Sequence, residues 1–357
     1  KQKTAYEIRN CDWSSDVCSS DLIGVSEDFK NRIFNGQMVI DQRNAGASVT
    51  PASFTYTLDR WGAVQTTASK FSVQQNAGSV TPPSGFNNYL GVTSLSAYSV
   101  GAGDTFNIYQ SIEGFNCVDF DWGTANAKTV TLSFWVRCSL TGTFGGAIKD
   151  GSSTNSYPFS YTISSANTWE YKTVTIPGPT AGQFTYTSKT NGQGLQVQFG
   201  LGAGANFIGT AGAWAAVNAY SCTGAVSVVG TNGATFYITG VQLEVGSTAS
   251  GFDYRPYPQE LALCQRYYEV CYQGASNDFP ISTNYNSGSS GTNNYAFWHY
   301  KVEKRASATV AKVNGSWSGA TPTIYAGISF GEFYSTSAFY LSSVGNGNIA
   351  LSASAEL

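Results

Sequence analysis

The chain offers few residues whose types and spacing could perform acid–base or nucleophilic chemistry. His299 is the only histidine among 357 residues, and it lies in the alternating run AFWHYKV. A Ser–His–Asp system needs its imidazole beside a nucleophile and a carboxylate, and no GxSxG nucleophile elbow accompanies this histidine. An ordinary strand histidine is the more economical interpretation. The sequence therefore predicts no catalytic residue and a protein that is not an enzyme.

Glycoside hydrolysis is the one reaction that the acidic residues leave open. It needs only two carboxylates about 5–10 Å apart. Asp119, Asp121, Glu170 and Glu244 lie in or beside predicted strands, without a recognisable catalytic context. A polysaccharide depolymerase therefore stays an alternative, and it predicts a cleft with paired carboxylates.

Aromatic and polar residues at strand positions indicate a different chemistry, the binding of sugars. In TVTLSFWVR, residues 129–137, strand alternation puts Val130, Leu132, Phe134 and Val136 on one apolar face. Trp135 and Arg137 then fall on the opposite face, where the indole could stack on a sugar ring and the guanidinium could bind hydroxyls. Packing of Trp135 inside the protein remains an equal alternative.

Asp59, Arg60 and Trp61 form a second candidate for carbohydrate binding, as a polar groove beside an aromatic ring. The alternative is a structural ion pair of Asp59 with Arg60 at a strand end. Other tryptophans are favoured as core residues, since tryptophan is mostly buried; these are Trp122, Trp169 and Trp214.

The elements that would position these residues are short strands. After residue 23, nine runs with period-2 alternation lie between clusters of Gly, Asn, Ser and Pro, at residues 37–42, 54–61, 71–75, 105–112, 129–137, 156–163, 169–176, 195–201 and 235–243. This spacing predicts an all-β protein, an antiparallel two-sheet jelly-roll sandwich. The Gly/Ala-rich stretch 200–218 is too long for a hairpin turn, and loops of that size are often functional.

The pattern of hydrophobic residues changes near residue 257. In PQELALCQRYYEVCYQ, Leu261, Cys264, Tyr268 and Cys271 recur at helical spacing, which predicts a short linking helix. That stripe would dock on the chain's own sandwich or between subunits. Further strand-like runs, at residues 295–302, 308–313, 323–330 and 338–341, predict a small C-terminal β-unit. The expected domains are residues 23–257 for the jelly roll, 258–273 for the helix and 274–357 for the β-unit.

Composition excludes several classes of protein. Nineteen Lys and Arg stand against 22 Asp and Glu, so the net charge is -3 and no basic footprint for nucleic acid exists. No run of about 20 apolar residues is present, so no membrane insertion is expected. Few charges, 39 Gly and 14% aromatic residues are typical of a β-protein with a polar, uncharged surface.

The first 22 residues stand apart from the rest of the sequence. KQKTAYEI and CDWSSDVCSSDL resemble the translations of two short-read sequencing adapters in their usual order. Residues 1–22 are therefore expected to be an artefact that is not native, and a natural polar leader is the alternative. Without them, seven cysteines become five, whose spacing matches no zinc site. We expect five buried, free thiols and no metal site.

Several blocks together resemble a β-sandwich family of tailed-bacteriophage tail-fibre and structural proteins. The resemblance covers residues 31–269. The blocks are NRIFNGQMVIDQRNAG (31–46), YTLDRW (56–61), residues 118–144, TWEYKTVTI (168–176) and residues 231–269. It implies a jelly roll similar to carbohydrate-binding modules and galactose-binding-like domains, carried on a virion part that meets the host surface.

The resemblance also implies the protein's partners and location. We expect a non-catalytic tail protein that binds host-surface polysaccharide or glycan and contacts other tail proteins. It would be assembled into the virion in the bacterial host cytoplasm. A homotrimer is one of the assemblies that the resemblance allows. A purely architectural virion component without a ligand and a bacterial surface adhesin are the alternatives. Many such modules hold calcium with an acidic residue on the closing strand. Here Thr239 and Gly240 stand in that stretch, so no cofactor is expected.

Overall fold

The structure is a computed structural model that describes residues 29–273, 281–284, 294–314, 316–337, 339–342 and 349–357. The chain divides into two compact units, Lys1–Lys30 and Asn31–Leu357. The predicted adapter segment, residues 1–22, lies outside the described residues. Within the described ranges, no helix has the length and apolar character that a bilayer crossing requires.

The first part of the second unit consists of strands joined by turns and loops. In chain order they are β1 Phe54–Leu58, β2 Trp61–Gln65, β3 Phe71–Gln75, β4 Leu90–Ser94, β5 Thr105–Glu113, β6 Val130–Cys138, β7 Gly142–Asp150, β8 Ser156–Ile163, β9 Glu170–Ile176, β10 Gln193–Ala203, β11 Ile208–Gly209, β12 Ser221–Cys222 and β13 Thr235–Val245.

These strands form two stacked sheets. One sheet has six strands in the order β1-β2-β5-β10-β7-β8, and the other has five in the order β3-β4-β13-β6-β9. All neighbours in both sheets are antiparallel. The short pair β11-β12 is parallel. The predicted all-β, two-sheet jelly-roll fold is confirmed.

Alternating apolar residues of both sheets meet in one core. On β6, the predicted inner face is fully buried: Val130, Leu132, Phe134 and Val136 each have 0% exposure. Phe134 contacts Phe199 of β10 edge-on, with ring centroids 5.0 Å apart, and so joins the two sheets. Each fully buried side chain of this kind stabilises the fold by about 1.5–3 kcal/mol. The alternation therefore also fixes which side chains of β6 face away from the core.

The predicted linking helix, residues 258–273, is too long and needs correction. Helix α1 covers Tyr257–Gln265 and is followed by strand β14, Tyr268–Gln273. The sequence YEVCYQ is rich in residues that favour strands, and β14 pairs along its whole length with a strand near the end of the chain. Cys264 and Cys271 therefore lie on different elements, and the predicted helical stripe does not form. The described cysteines are all buried and free, as predicted.

The remaining strands form small sheets with a core of their own. They are β15 Ile281–Asn284, β16 Asn294–His299, β17 Thr309–Asn314, β18 Ser316–Gly319, β19 Thr323–Ala326, β20 Phe330–Ser335, β21 Phe339–Ser342 and β22 Ile349–Ser354. The sheets have the orders β14-β22-β17, β15-β16-β20-β19 and β18-β21, and Trp298, Phe333 and Leu351 are buried between them. The residue boundaries predicted for the jelly roll and the C-terminal unit remain a prediction.

Candidate functional site

The structure buries the predicted site at Asp59, Arg60 and Trp61. Asp59 and Arg60 form the turn between β1 and β2, and the three side chains have at most 1% exposure. Arg60 pairs with the Glu356 carboxylate, and Asp59 accepts hydrogen bonds from the backbone and side-chain nitrogens of Gln42 at 2.7 and 2.6 Å. Trp61 belongs to the core. No polar groove exists there, because no ligand can reach these side chains.

Burial also changes the ionisation of this turn. Loss of solvation raises the pKa of Asp59 to about 6, against the opposing effects of Arg43 and the Gln42 hydrogen bonds. The alternative of an Asp59–Arg60 pair is also incorrect, since Arg60 pairs with Glu356 instead. The cluster is a structural joint between the β1–β2 turn and the segment that follows β22.

Trp135 lies on the outer face of the five-stranded sheet, as the alternation of β6 predicts. It is half-buried, and it is paired across β6 and β9 with Tyr171, which is 43% exposed. The two ring centroids are 5.4 Å apart. The pair forms an aromatic floor that solvent reaches.

A β-bulge on the other side of Trp135 makes room for a wall. On β13, Thr239 pairs with Trp135 and the register then shifts before Gln242. Gly240 in the bulge has φ 60°, and a Cβ atom there would lie 2.6 Å from the ring of Phe86. Glycine is needed for both the backbone conformation and the close approach. The Phe86 ring therefore rests directly on the bulge.

Three rings form the wall above this floor. Phe86 contacts Phe252 edge-on at 5.1 Å between centroids, and Tyr254 contacts both, at 5.7 and 5.0 Å. Tyr254 is 54% exposed. The last two rings come from the loop that joins β13 to α1, so the wall and the floor are distant in sequence.

Buried polar groups of β13 hold that loop. The Gln242 amide accepts a hydrogen bond from the Asp253 backbone at 2.8 Å and donates to the Gly251 carbonyl at 3.3 Å. Glu244 accepts from the backbone and hydroxyl of Ser250. Because Gln242 and Glu244 are themselves buried, water can replace these hydrogen bonds only when the loop opens. The wall is thus positioned before any ligand arrives.

Together the floor and the wall enclose an aromatic cleft of about 520 Å³. Its lining residues carry no charge; they are Ser84, Phe86, Ser133, Trp135, Tyr171, Gly240, Ala249, Ser250, Gly251, Phe252 and Tyr254. Rings, hydroxyls and backbone groups are suited to a ligand with apolar faces and many hydroxyls. The cleft offers no carboxylate pair for acid–base chemistry.

Arg137, the partner predicted for Trp135, does not line this cleft. It lies further along β6, where its guanidinium contacts the Tyr237 ring at 5.5 Å and donates to the Asn167 carbonyl at 2.9 Å. Its side chain is half-buried. Of the five predicted site residues, the structure therefore places Trp135 alone in the aromatic cleft.

Sequence reasoning missed most of the cleft. Tyr171 was detectable, because it is an outward residue of a predicted strand. Phe86, Phe252 and Tyr254 lie in loops, where no sequence periodicity indicates which way a side chain points. Among the other tryptophans, Trp122 is buried in the core as predicted.

The acids and the histidine do not converge on the cleft. His299 is exposed on β16 and contacts the Phe330 ring at 6.0 Å. Asp119 pairs with Arg32 at 2.8 Å and Glu170 pairs with Lys172 at 2.6 Å. Within the described part of the chain, no three His, Cys, Asp or Glu residues are grouped as metal ligands would be.

Comparisons with known proteins give distant structural similarity. No protein-family model and no curated protein matches the chain. Among solved structures, it resembles a family 11 carbohydrate-binding module from Clostridium thermocellum in complex with a β-1,3-1,4-mixed-linked tetrasaccharide, with 14% identity and a TM-score of 0.28 over 57% of this chain and 98% of that one.

A second solved structure is a putative sugar binding protein from Bacteroides thetaiotaomicron VPI-5482. It has 12% identity and a TM-score of 0.35 over 61% of this chain and 100% of the other. Similarity at this level supports no argument about a ligand.

Proposed function

We propose that the protein is a non-catalytic glycan-binding protein of a bacteriophage tail, and that the aromatic cleft binds a neutral host-surface glycan. The observation that carries the proposal is the uncharged floor of Trp135 and Tyr171 facing the wall of Phe86, Phe252 and Tyr254.

The chemistry of the cleft selects the ligand class. A pyranose ring presents C–H faces that stack on aromatic rings, while its hydroxyls seek hydrogen-bond partners at the edge. Exposed Tyr171 and Tyr254 supply the rings, and the lining residues Ser84 and Ser250 are also exposed. A charged sugar would gain no ion pair here and would lose solvation. A neutral glycan therefore fits best.

The location in a virion tail is inferred from sequence alone. It rests on the blocks at residues 31–46, 56–61, 118–144, 168–176 and 231–269, which resemble tail-fibre and structural proteins. Genes adjacent to this one on the source contig test the inference. Capsid and tail genes beside it are expected, and a contig with none would contradict the virion role.

Glycan binding is tested on an array of neutral oligosaccharides and with purified host polysaccharides. The wild-type chain should bind at least one of them, and Trp135→Ala and Tyr171→Ala should each weaken binding about tenfold. Tyr325→Ala is the matched control, because Tyr325 is an exposed strand tyrosine, 59% exposed, outside the cleft.

The same samples separate the rival functions. A bound polysaccharide whose length stays constant on incubation is expected from a binding protein. Shortening of the polysaccharide would indicate a depolymerase, and silence across all neutral glycans would leave an architectural component. Either result would overturn the proposal.

A further inference from the structure

The outer face of the sheet β15-β16-β20-β19 is aromatic. Ala296 and Trp298 of β16 and Phe333 of β20 point into the core of the C-terminal sheets, so their strand neighbours point outward. In an antiparallel sheet with one face in water, the outward side chains are usually polar. Here most of them carry rings. We call this surface the outer aromatic face, and it consists of Tyr295, Phe297, Tyr325, Phe330, Glu332 and Tyr334.

The rings of β16 and β20 form a continuous row. Tyr295 contacts Tyr334 with centroids 5.4 Å apart and Phe297 with centroids 6.4 Å apart, and Phe297 contacts Phe330 at 6.1 Å. Phe330 is 38% exposed, and Tyr325 on the neighbouring strand is 59% exposed. The other three rings are half-buried. A ligand in solution can therefore reach this row.

A single carboxylate lies in the middle of the outer aromatic face. Glu332 is paired across the sheet with Phe297 on one side and with Tyr325 on the other. Directly opposite residues of antiparallel strands have Cβ atoms about 4.5–5.5 Å apart. Phe330 and Tyr334 lie two positions away along β20 and so point to the same side of the sheet. Four aromatic residues therefore surround the Glu332 side chain.

The charge of Glu332 is uncompensated. Within the described ranges its carboxylate forms no ion pair, and His299 contacts the Phe330 ring instead, at 6.0 Å. Glu332 is half-buried among the rings, so it still has contact with water. An apolar partner or a neutral sugar that covered the rings would remove this water and leave the charge unpaired, which is costly. A cation would replace the lost solvation, so the face selects a positively charged ligand.

The rings around the carboxylate select the kind of cation. A primary ammonium is strongly hydrated and has three N–H donors that need acceptors. The surface around Glu332 is mostly ring carbon, which is a poor substitute for water as an acceptor. A quaternary ammonium donates no hydrogen bond, and its methyl groups spread the positive charge over a surface that aromatic rings attract.

We infer that the outer aromatic face binds a quaternary ammonium group. The cation lies against the Glu332 carboxylate, and its methyl groups contact the rings beside it, including Phe297 and Phe330. The inference goes beyond the proposed function, because the site uses another sheet, other residues and a ligand of different charge. Free choline and a phosphocholine group on a surface polymer or lipid share this chemistry.

The test is calorimetric titration of the full chain with choline. Choline should bind with saturation. Its neutral isostere 3,3-dimethyl-1-butanol, which has the same shape without the charge, should bind at least about tenfold more weakly. Ethanolamine, which carries a primary ammonium, should also bind more weakly. Absence of choline binding, or equal binding of the isostere or of ethanolamine, would overturn the inference.

Phosphocholine distinguishes the two sources of the ligand. Affinity equal to that of choline supports a headgroup attached to a larger molecule, and weaker binding supports free choline. Both results keep the quaternary ammonium as the recognised group.

Glu332→Gln removes the charge and keeps the shape of the side chain. It should lower the affinity for choline at least about tenfold. Glu303→Gln is the matched control, since Glu303 is an exposed acid outside the outer aromatic face, and it should leave the affinity unchanged. If Glu332→Gln does not fold, Phe330→Ala replaces it, with an expected loss of about threefold. Unaltered affinity in the folded variant would contradict the site.

Two further measurements separate this site from the aromatic cleft and from self-association. Choline should not displace a neutral glycan that is bound in the cleft. Choline binding by a chain that binds no neutral glycan would reject the proposed function and retain this inference. A chain that sediments as a dimer and does not bind choline would show that a second copy covers the face, and it would overturn the inference.

Discussion

At the scale of single residues, the cleft depends on tyrosines whose rings are exposed and contribute little to the core. Tyr254 is 54% exposed; its ring contacts Phe86 and Phe252, and its hydroxyl lies beside Gly85. A ring held open in this way contributes little to the core, so its substitution should affect binding more than folding. That separation makes it a better probe than Trp135, which also packs on the sheet.

Tyr254→Ala should weaken binding of the neutral glycan about tenfold, or about 1.4 kcal/mol, because one of the three rings of the wall is lost. Its free energy of unfolding should change by less than about 1 kcal/mol, as expected for an exposed position. Glycan titration and urea unfolding measure the two quantities. Tyr325→Ala, equally exposed but outside the cleft, should leave affinity unaltered; a parallel loss in both variants would contradict the assignment.

The buried Asp59 predicts an unusual pH dependence of stability. Its folded-state pKa of about 6 lies above the unfolded value of 3.8, so the folded protein holds the proton more tightly. The free energy of unfolding should therefore fall as pH rises from about 4 to about 6, by about 2–3 kcal/mol from this group.

Asp59→Asn removes that titration and should flatten this part of the curve. Urea unfolding at half-unit pH intervals between 4 and 7 provides the comparison. Other acids titrate equally in both proteins, so the difference between the two curves isolates Asp59. Parallel curves would show that the carboxyl is not desolvated as the structure indicates.

At the scale of elements, the end of the chain is fastened to the first hairpin. After β22, the Glu356 carboxylate pairs with Arg60 and, at 2.7 Å, with Arg43. Arg60 lies 3.5 Å from the centroid of the Tyr267 ring, between α1 and β14. The joint therefore ties the β1–β2 turn to the sheet that contains β14 and β22.

Glu356→Gln should lower the free energy of unfolding by about 3 kcal/mol, since it leaves buried guanidinium charge uncompensated. Asp121→Asn is the comparison, because Asp121 pairs with Lys128 at 3.8 Å with both side chains nearly half exposed. That change should cost less than about 1 kcal/mol. Equal losses in urea unfolding would show that the joint contributes no more than a surface pair.

Strands with regular alternation were predictable from sequence, and glycine-rich strands were not. The prediction for residues 156–163 matches β8, and that for 71–75 matches β3. β7 was missed because GTFGGAIKD shows no alternation. Its glycines serve packing instead: Gly146 lies against Phe159, and Gly145 against Ser221. Glycines that are required for close packing in the folded protein produce no periodic pattern in the sequence.

Two other strand predictions were wrong, one because side-chain hydrogen bonds replace strand pairing and one because a turn interrupts the run. Residues 37–42 alternate like a strand, but Met38 has φ 61°, and the Asn35 side chain bonds to the backbone of Ile40 instead. The run at 54–61 is split by the Asp59–Arg60 turn. The wall of the cleft could not be predicted from sequence, because contacts with distant strands set the side-chain orientation of loop residues such as Phe252.

At the scale of the whole molecule, the aromatic cleft lies on the outer face of the five-stranded sheet, and the inner face of that sheet belongs to the core of the sandwich. Phe252 and Tyr254 of the cleft wall are not among the core residues. Substitutions in this wall should therefore leave the core of the sandwich intact.

The central claim is that Trp135 in the aromatic cleft contacts a neutral glycan. The most direct measurement is the set of ¹⁵N–¹H indole signals during titration with the neutral oligosaccharide that binds best on the array. The Trp135 signal, assigned by its loss in Trp135→Phe, should shift and saturate, while that of the fully buried Trp61 stays in place. Saturable binding that leaves the Trp135 signal unmoved, or no binding by any neutral glycan, would contradict the account.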